Sequence, residues 1–88
     1  AGFSIVQAIC ARKVDPERIV MRDAKSYCAI LLDDNNRKSI ARLHFNSETA
    51  RYLGVFTGKD ETRHAMSKPV EIYQYEKALL ARIDELEG

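Results

Sequence analysis

Eight side chains in the middle of this chain, Arg22, Lys25, Tyr27, Arg37, Lys38, Arg42, His44 and Arg51, are hydrogen-bond donors with an aromatic ring among them. Guanidinium and ammonium groups neutralise phosphates and a flat ring stacks on an unpaired base, so the combination suits a nucleic-acid backbone. Asp23, Asp33, Asp34 and Glu48 are interspersed with the same donors. A solvated sheet face on which these charges cancel is therefore the competing reading.

Phosphodiester hydrolysis makes a different demand. It needs carboxylates converging on a divalent ion, with a lysine to stabilise charge at the scissile phosphate. No Asp/Glu-x-Lys triplet falls on an expected strand. The nearest imitation, Asp33-Asp34 with Lys38, sits in a tight hairpin that already explains those residue types. His44 and His64 have no nucleophile or orienting partner at a telling spacing, and cross-strand packing or hydrogen bonding accounts for His44. Gly54 and Gly58 are isolated rather than part of a phosphate loop, and Cys10 and Cys28 lack metal-site spacing and read as reduced core thiols. No catalytic residue, metal site or cofactor is expected in this segment.

The elements that position the donors follow from local pattern. Tyr27 to Leu32 and Ile40 to Phe45 are apolar, β-rich runs separated by the polar residues Asp33 to Lys38. Asp and Asn tolerate left-handed turn angles, so the stretch reads as an antiparallel hairpin at the centre of the fold. Alternation puts Ala41, Leu43 and Phe45 on the core face and Ile40, Arg42 and His44 on the wetter one. Ile19 to Met21 precedes this hairpin as a short strand. Arg51 to Phe56 follows it beyond a polar turn at Asn46 to Thr49, and Glu61 to Met66 is a last, weakly patterned strand. Phe3, Val6, Ile9, Cys10 and Val14 recur at helical spacing up to Asp15-Pro16, which ends the pattern. At the other end Ile72, Tyr75, Leu79, Ile83 and Leu86 form the stripe of a final helix, with Ser67 as its cap and Pro69 in its first turn. The expected fold is α+β: an antiparallel meander of four to five strands flanked by an N-terminal and a C-terminal helix, in one domain over residues 1–88.

Composition agrees with a folded domain, at 45% hydrophobic and 31% charged residues with 4 Gly and 2 Pro. No apolar run reaches the roughly 18–20 residues of a membrane span and no secretory pattern opens the chain, so the cytoplasm is the expected location. The chain begins Ala1-Gly2 without Met and runs straight into the helical pattern, which suggests a fragment of a longer protein. The net charge of +1 hides an asymmetry. Residues 18–64 carry nine Lys/Arg against six Asp/Glu, whereas residues 68–88 carry three against five. The sheet region is mildly basic, which permits contact with nucleic acid without dictating it.

Ile30-Leu-Leu-Asp-Asp-Asn-Asn-Arg-Lys38 followed by Ile40-Ala-Arg-Leu-His-Phe-Asn46 resembles a block near the C-terminus of bacterial predicted type I restriction endonucleases, whose N-terminal region is nuclease-like and of the R-subunit kind. The likeness extends to Arg18 to Tyr27 and Ile72 to Tyr75. The resemblance implies the C-terminal piece of a restriction-endonuclease-like protein, and so association with a restriction nuclease; its own residues, which offer no catalytic constellation, make it a non-catalytic accessory domain, with DNA and the nuclease region of the parent chain as the expected partners. Two roles are open. The domain assists DNA binding, or it is an interaction or homo-oligomerisation module that uses exposed apolar residues such as Ile40 or an edge strand.

Overall fold

Asp33 and Asp34 turn the central hairpin with left-handed backbone angles, φ 57° and 56°. Asp adopts these angles more readily than most residues. The Asn35 N–H donates to Leu32 O at 3.2 Å, and the Asn35 side chain accepts from the Arg37 N–H at 2.8 Å, forming an Asx turn. Both aspartates are then held by arginines. Arg18 donates to the two Asp33 oxygens at 2.7 Å each, and Arg22 Nε lies 2.6 Å from Asp34 Oδ1. The hydrogen bond from Arg18 holds the Asp33 carboxyl below its usual range.

The computed structural model describes residues 2–45 and 51–88. Helix α1 (Gly2–Cys10) leads through a 3-10 turn (Pro16–Arg18) into strands β1 (Ile19–Asp23), β2 (Cys28–Leu32), β3 (Ser39–Phe45), β4 (Arg51–Thr57) and β5 (Asp60–Ala65). A 3-10 segment (Pro69–Tyr75) and helix α2 (Glu76–Glu87) follow. All four strand pairings are antiparallel, in the order β1-β2-β3-β4-β5. This is the expected α+β meander, with five strands. The polar turn expected at Asn46 to Thr49 lies outside the described residues. No described helix is long and apolar enough to cross a membrane.

Both helices pack on the same side of the sheet. Val6, Ile9 and Cys10 of α1 join Leu79 and Ile83 of α2 over Ile30, Leu43 and Leu53 in one buried cluster. Each such aliphatic side chain contributes roughly 1.5–3 kcal/mol by leaving water. The helix ends differ from expectation for local reasons. α1 stops at Cys10 because tighter bonds, Arg12 N to Ile9 O and Lys13 N to Cys10 O, replace the helical ladder, although Val14 is still buried. Ser67 is not the cap of the last helical segment. Glu71 reaches back to accept from the Ser67 and Lys68 N–H groups at 3.0 and 2.7 Å, and the first turns are 3-10 rather than α.

The larger departure is at Ile40. Ala41 pairs with Ile30 but Ser39 pairs with Leu31, so the register steps across Ile40 in a bulge. The extra residue turns the Ile40 side chain into the helix-side cluster, where it is 0% exposed. The expectation of Ile40 on the wetter face is thereby corrected, and Ile40 cannot serve as an exposed docking residue.

Cys10 and Cys28 are free thiols. Burial pushes the Cys10 thiol up to about 11. Its raised folded value means that Cys10 stabilises the fold fully below the unfolded pKa of about 8.5, and that this contribution is lost as pH rises towards about 11. Wild type is expected to lose roughly 2–3 kcal/mol more than Cys10→Ala over that interval. Urea unfolding of both proteins at the two pH values measures the difference.

Candidate nucleic-acid interface

Directly opposed residues of antiparallel strands share a face of the sheet. Arg22 opposes Ala29, Ala29 opposes Arg42, Arg42 opposes Gly54, and Gly54 opposes Arg63. A single row therefore crosses all five strands on the side away from the helices, reading Arg22, Ala29, Arg42, Gly54, Arg63. Three arginines alternate with two small residues. With strands about 4.8 Å apart, successive arginine backbones are roughly 10 Å apart. Two residues along the strands lies a second row, His44 opposite Tyr52 opposite Ala65, with the Tyr27 ring at its β2 end, 5.5 Å from the His44 ring. On the other flank Phe56 opposes Glu61.

Arg42 stands at the centre. Its guanidinium carbon lies 4.5 Å from the centroid of the Tyr27 ring and 5.4 Å from that of Phe56, and the Arg82 guanidinium is 5.3 Å from the same Phe56 centroid. Cations and rings thus alternate, each contact contributing about 0.5–2 kcal/mol. Arg42 has little else to bind: NH1 reaches Glu61 Oε1 only at 3.5 Å, and its buried Nε–H has no acceptor among the described residues. A buried, unanswered donor costs about 1–3 kcal/mol.

Glu61 belongs to β5, yet its carboxylate lies over Gly54, between Arg42 and Arg63. One oxygen is 2.7 Å from His44 Nε2 and 3.8 Å from Arg63 Nε. A Cβ at position 54 would overlap this carboxylate, so it is the absence of a side chain at Gly54, and not its backbone angle, that lets Glu61 sit there. Gly54→Ala is expected to expel Glu61 from His44 and to lower stability by about 1–3 kcal/mol, which urea unfolding would show. An unchanged midpoint would mean that the carboxylate has another seat.

The eight donors are not equally placed. Arg22, Tyr27, Arg42 and His44 come together on the open face. His44, however, is only 5% exposed and spends Nε2 on Glu61, so it supports the surface and is not the outward-facing group that alternation suggested. Arg37 and Lys38 stand beside the face in the hairpin loop. Lys25, in the β1–β2 turn, borders a helix-side cavity of about 380 Å³ with Phe3, Met21, Cys28 and Phe45. Arg51 opposes Phe45 and so belongs to the helix side. Among the described residues no carboxylate lies within ion-pair distance of Lys25, Arg37 or Lys38. Arg22 is partnered by Asp34 and Asn36, as the charge-balanced reading anticipated.

Sequence reasoning missed Arg63, Tyr52, Phe56, Glu61 and Arg82. The first four sit on strands whose register a sequence does not display. Arg82 interrupts the face of α2 as a buried clasp, donating to Ser39 O at 2.8 Å and Gly58 O at 2.9 Å and pairing with Glu85 at 3.0 Å. His64 stacks on Tyr75 with centroids 4.3 Å apart, a packing role on the helix side. Among the described residues no group of three or more His, Cys, Asp or Glu is placed to hold a metal ion.

Comparison of the chain with protein-family models, with curated proteins and with solved structures finds no match in any of the three.

Proposed function

We propose that the open face of the sheet binds nucleic acid, DNA in the first instance, as the accessory domain of a protein of the restriction-endonuclease kind that the hairpin resembles. The observation that carries this reading is the Arg22–Arg42–Arg63 row, whose central Arg42 has an Nε–H with no acceptor among the described residues, with aromatic rings on both flanks. Arg22 is paired with Asp34, but Arg42 and Arg63 share the single Glu61 carboxylate at 3.5 and 3.8 Å, and phosphate oxygens are closer-fitting multidentate acceptors for guanidinium groups so loosely held. Arg37 and Lys38 extend the positive field from the adjoining loop.

The rival role as an assembly module has less to draw on. Ile40 is internal, and Leu31, which shares the open face, is 2% exposed. The edge strands are charged, with Arg22 and Asp23 on β1 and Asp60, Glu61 and Arg63 on β5, which discourages sheet extension between copies.

The test is titration of the protein into fluorescein-labelled oligonucleotides at several salt concentrations. Three phosphate contacts give a slope of log affinity against log salt of about −2 to −3. Absence of any anisotropy change at the lowest salt, with both single-stranded and duplex DNA, removes the reading.

A further inference from the structure

Resting on that reading, we infer that the ligand is an unpaired strand lying across the five β-strands, its phosphates along the arginine row and its bases over the Tyr27 and Tyr52 rings, between which the buried His44 acts as a support.

Three observations lead there. The first is the direction of the rows. Both run perpendicular to the β-strands and, two residues apart along them, lie roughly 7 Å from one another. One line offers charge and the other offers rings. A single polynucleotide is built the same way, with phosphates on one side and bases on the other.

The second is the exposure of the rings. Tyr52 is 38% exposed on a face that no helix covers, and Tyr27 is covered by Arg42 on one side of its ring. Stacking on such rings is available only to bases whose faces are free, because in a duplex each base already lies between its neighbours. It also tolerates any base, so the contact carries little sequence preference.

The third is width. Groove readers insert one helix or a two-stranded ribbon into a major groove about 12 Å across. Here the helices are committed to the opposite side of the sheet, and five strands about 4.8 Å apart span roughly 19 Å. The face is too broad to enter a groove, yet broad enough for several nucleotides laid flat.

Glu61 takes a defined part in this arrangement. Its carboxylate occupies the gap over Gly54 between Arg42 and Arg63, where a phosphate would bridge the two guanidiniums. The strand's central phosphate competes with it.

The experiment uses the 88-residue chain with a mixed-sequence oligonucleotide of about 15 residues, its duplex, and the same strand with abasic sites at its centre. Wild type is expected to bind the single strand at least tenfold more tightly than the duplex, and abasic substitution is expected to weaken binding several-fold. Tyr52→Ala should lower single-strand affinity about five- to tenfold and leave duplex affinity unchanged. Because Tyr52 is only 38% exposed, urea unfolding is used to confirm that Tyr52→Ala remains folded at the assay temperature, and Tyr52→Phe should bind like wild type. Equal affinity for duplex and single strand, or a Tyr52→Ala protein that binds like wild type, overturns the unpaired-strand assignment while leaving nucleic-acid binding in place. No binding to any of the three probes overturns both.

Discussion

Ile40→Glu is expected to abolish folding. Ile40 is 0% exposed, at the bulge where β3 steps past β2, and it packs within the cluster that joins both helices to the sheet. The substitution forfeits the apolar transfer of the isoleucine and asks a carboxylate to ionise without a partner, or to stay protonated at a cost. The combined penalty exceeds about 5 kcal/mol, comparable with the total stability of a domain of this size. Far-ultraviolet circular dichroism and urea titration read it directly. Val70→Glu is the control, since Val70 is 58% exposed and the change should stay within about 0.5 kcal/mol. A folded Ile40→Glu protein with a normal midpoint would mean that the residue lies on the solvent side after all.

Arg42 and Glu61 should move affinity in opposite directions. Arg42→Ala removes the central cation and its contacts with Tyr27 and Phe56, so binding to nucleic acid at low salt should weaken by about tenfold or more, with a salt slope shallower by about 0.7–0.9. Glu61→Gln removes the competing charge while leaving an amide able to bond His44 Nε2, and should strengthen binding several-fold. The variants are compared at matched salt after their unfolding midpoints are measured. Weaker binding by Glu61→Gln would show that the carboxylate holds the arginines in their working positions and does not compete with the ligand.

The parts of this fold legible in the sequence are those governed by neighbours along the chain. Asp33 and Asp34 marked the turn because their own backbone preferences produce it. Val6, Ile9 and Cys10, like Leu79 and Ile83, marked helix faces because helical spacing is a local property. Reading strand faces by alternation failed at Ile40, where one inserted residue changes which side chains face the helices. His44 was read as outward because its burial depends on Glu61, a residue of the weakly patterned last strand that reaches across the space left by Gly54. Part of the candidate site was visible as residue types, in Arg22, Tyr27 and Arg42. Arg63 and Tyr52 were not, because their place in the rows depends on register between strands. Arg82 was hidden for another reason: it binds the carbonyls of Ser39 and Gly58, and a backbone carbonyl leaves no trace in residue identity.

The connectivity of the sheet bears on how the chain reaches this state. In a meander every strand joins the segment next to it in sequence, so all four ladders close short loops, a topology that favours rapid formation. The contacts that span most of the polypeptide include those between the two helices, the pairs Arg12–Glu76 and Lys13–Asp84, and the grip of Arg18 on Glu87 at 2.7 and 3.0 Å. The strands can therefore assemble first and the helices dock afterwards. Any state in which the helices were undocked would leave the aliphatic side of the sheet facing water, so the helices also serve to keep that surface from self-association.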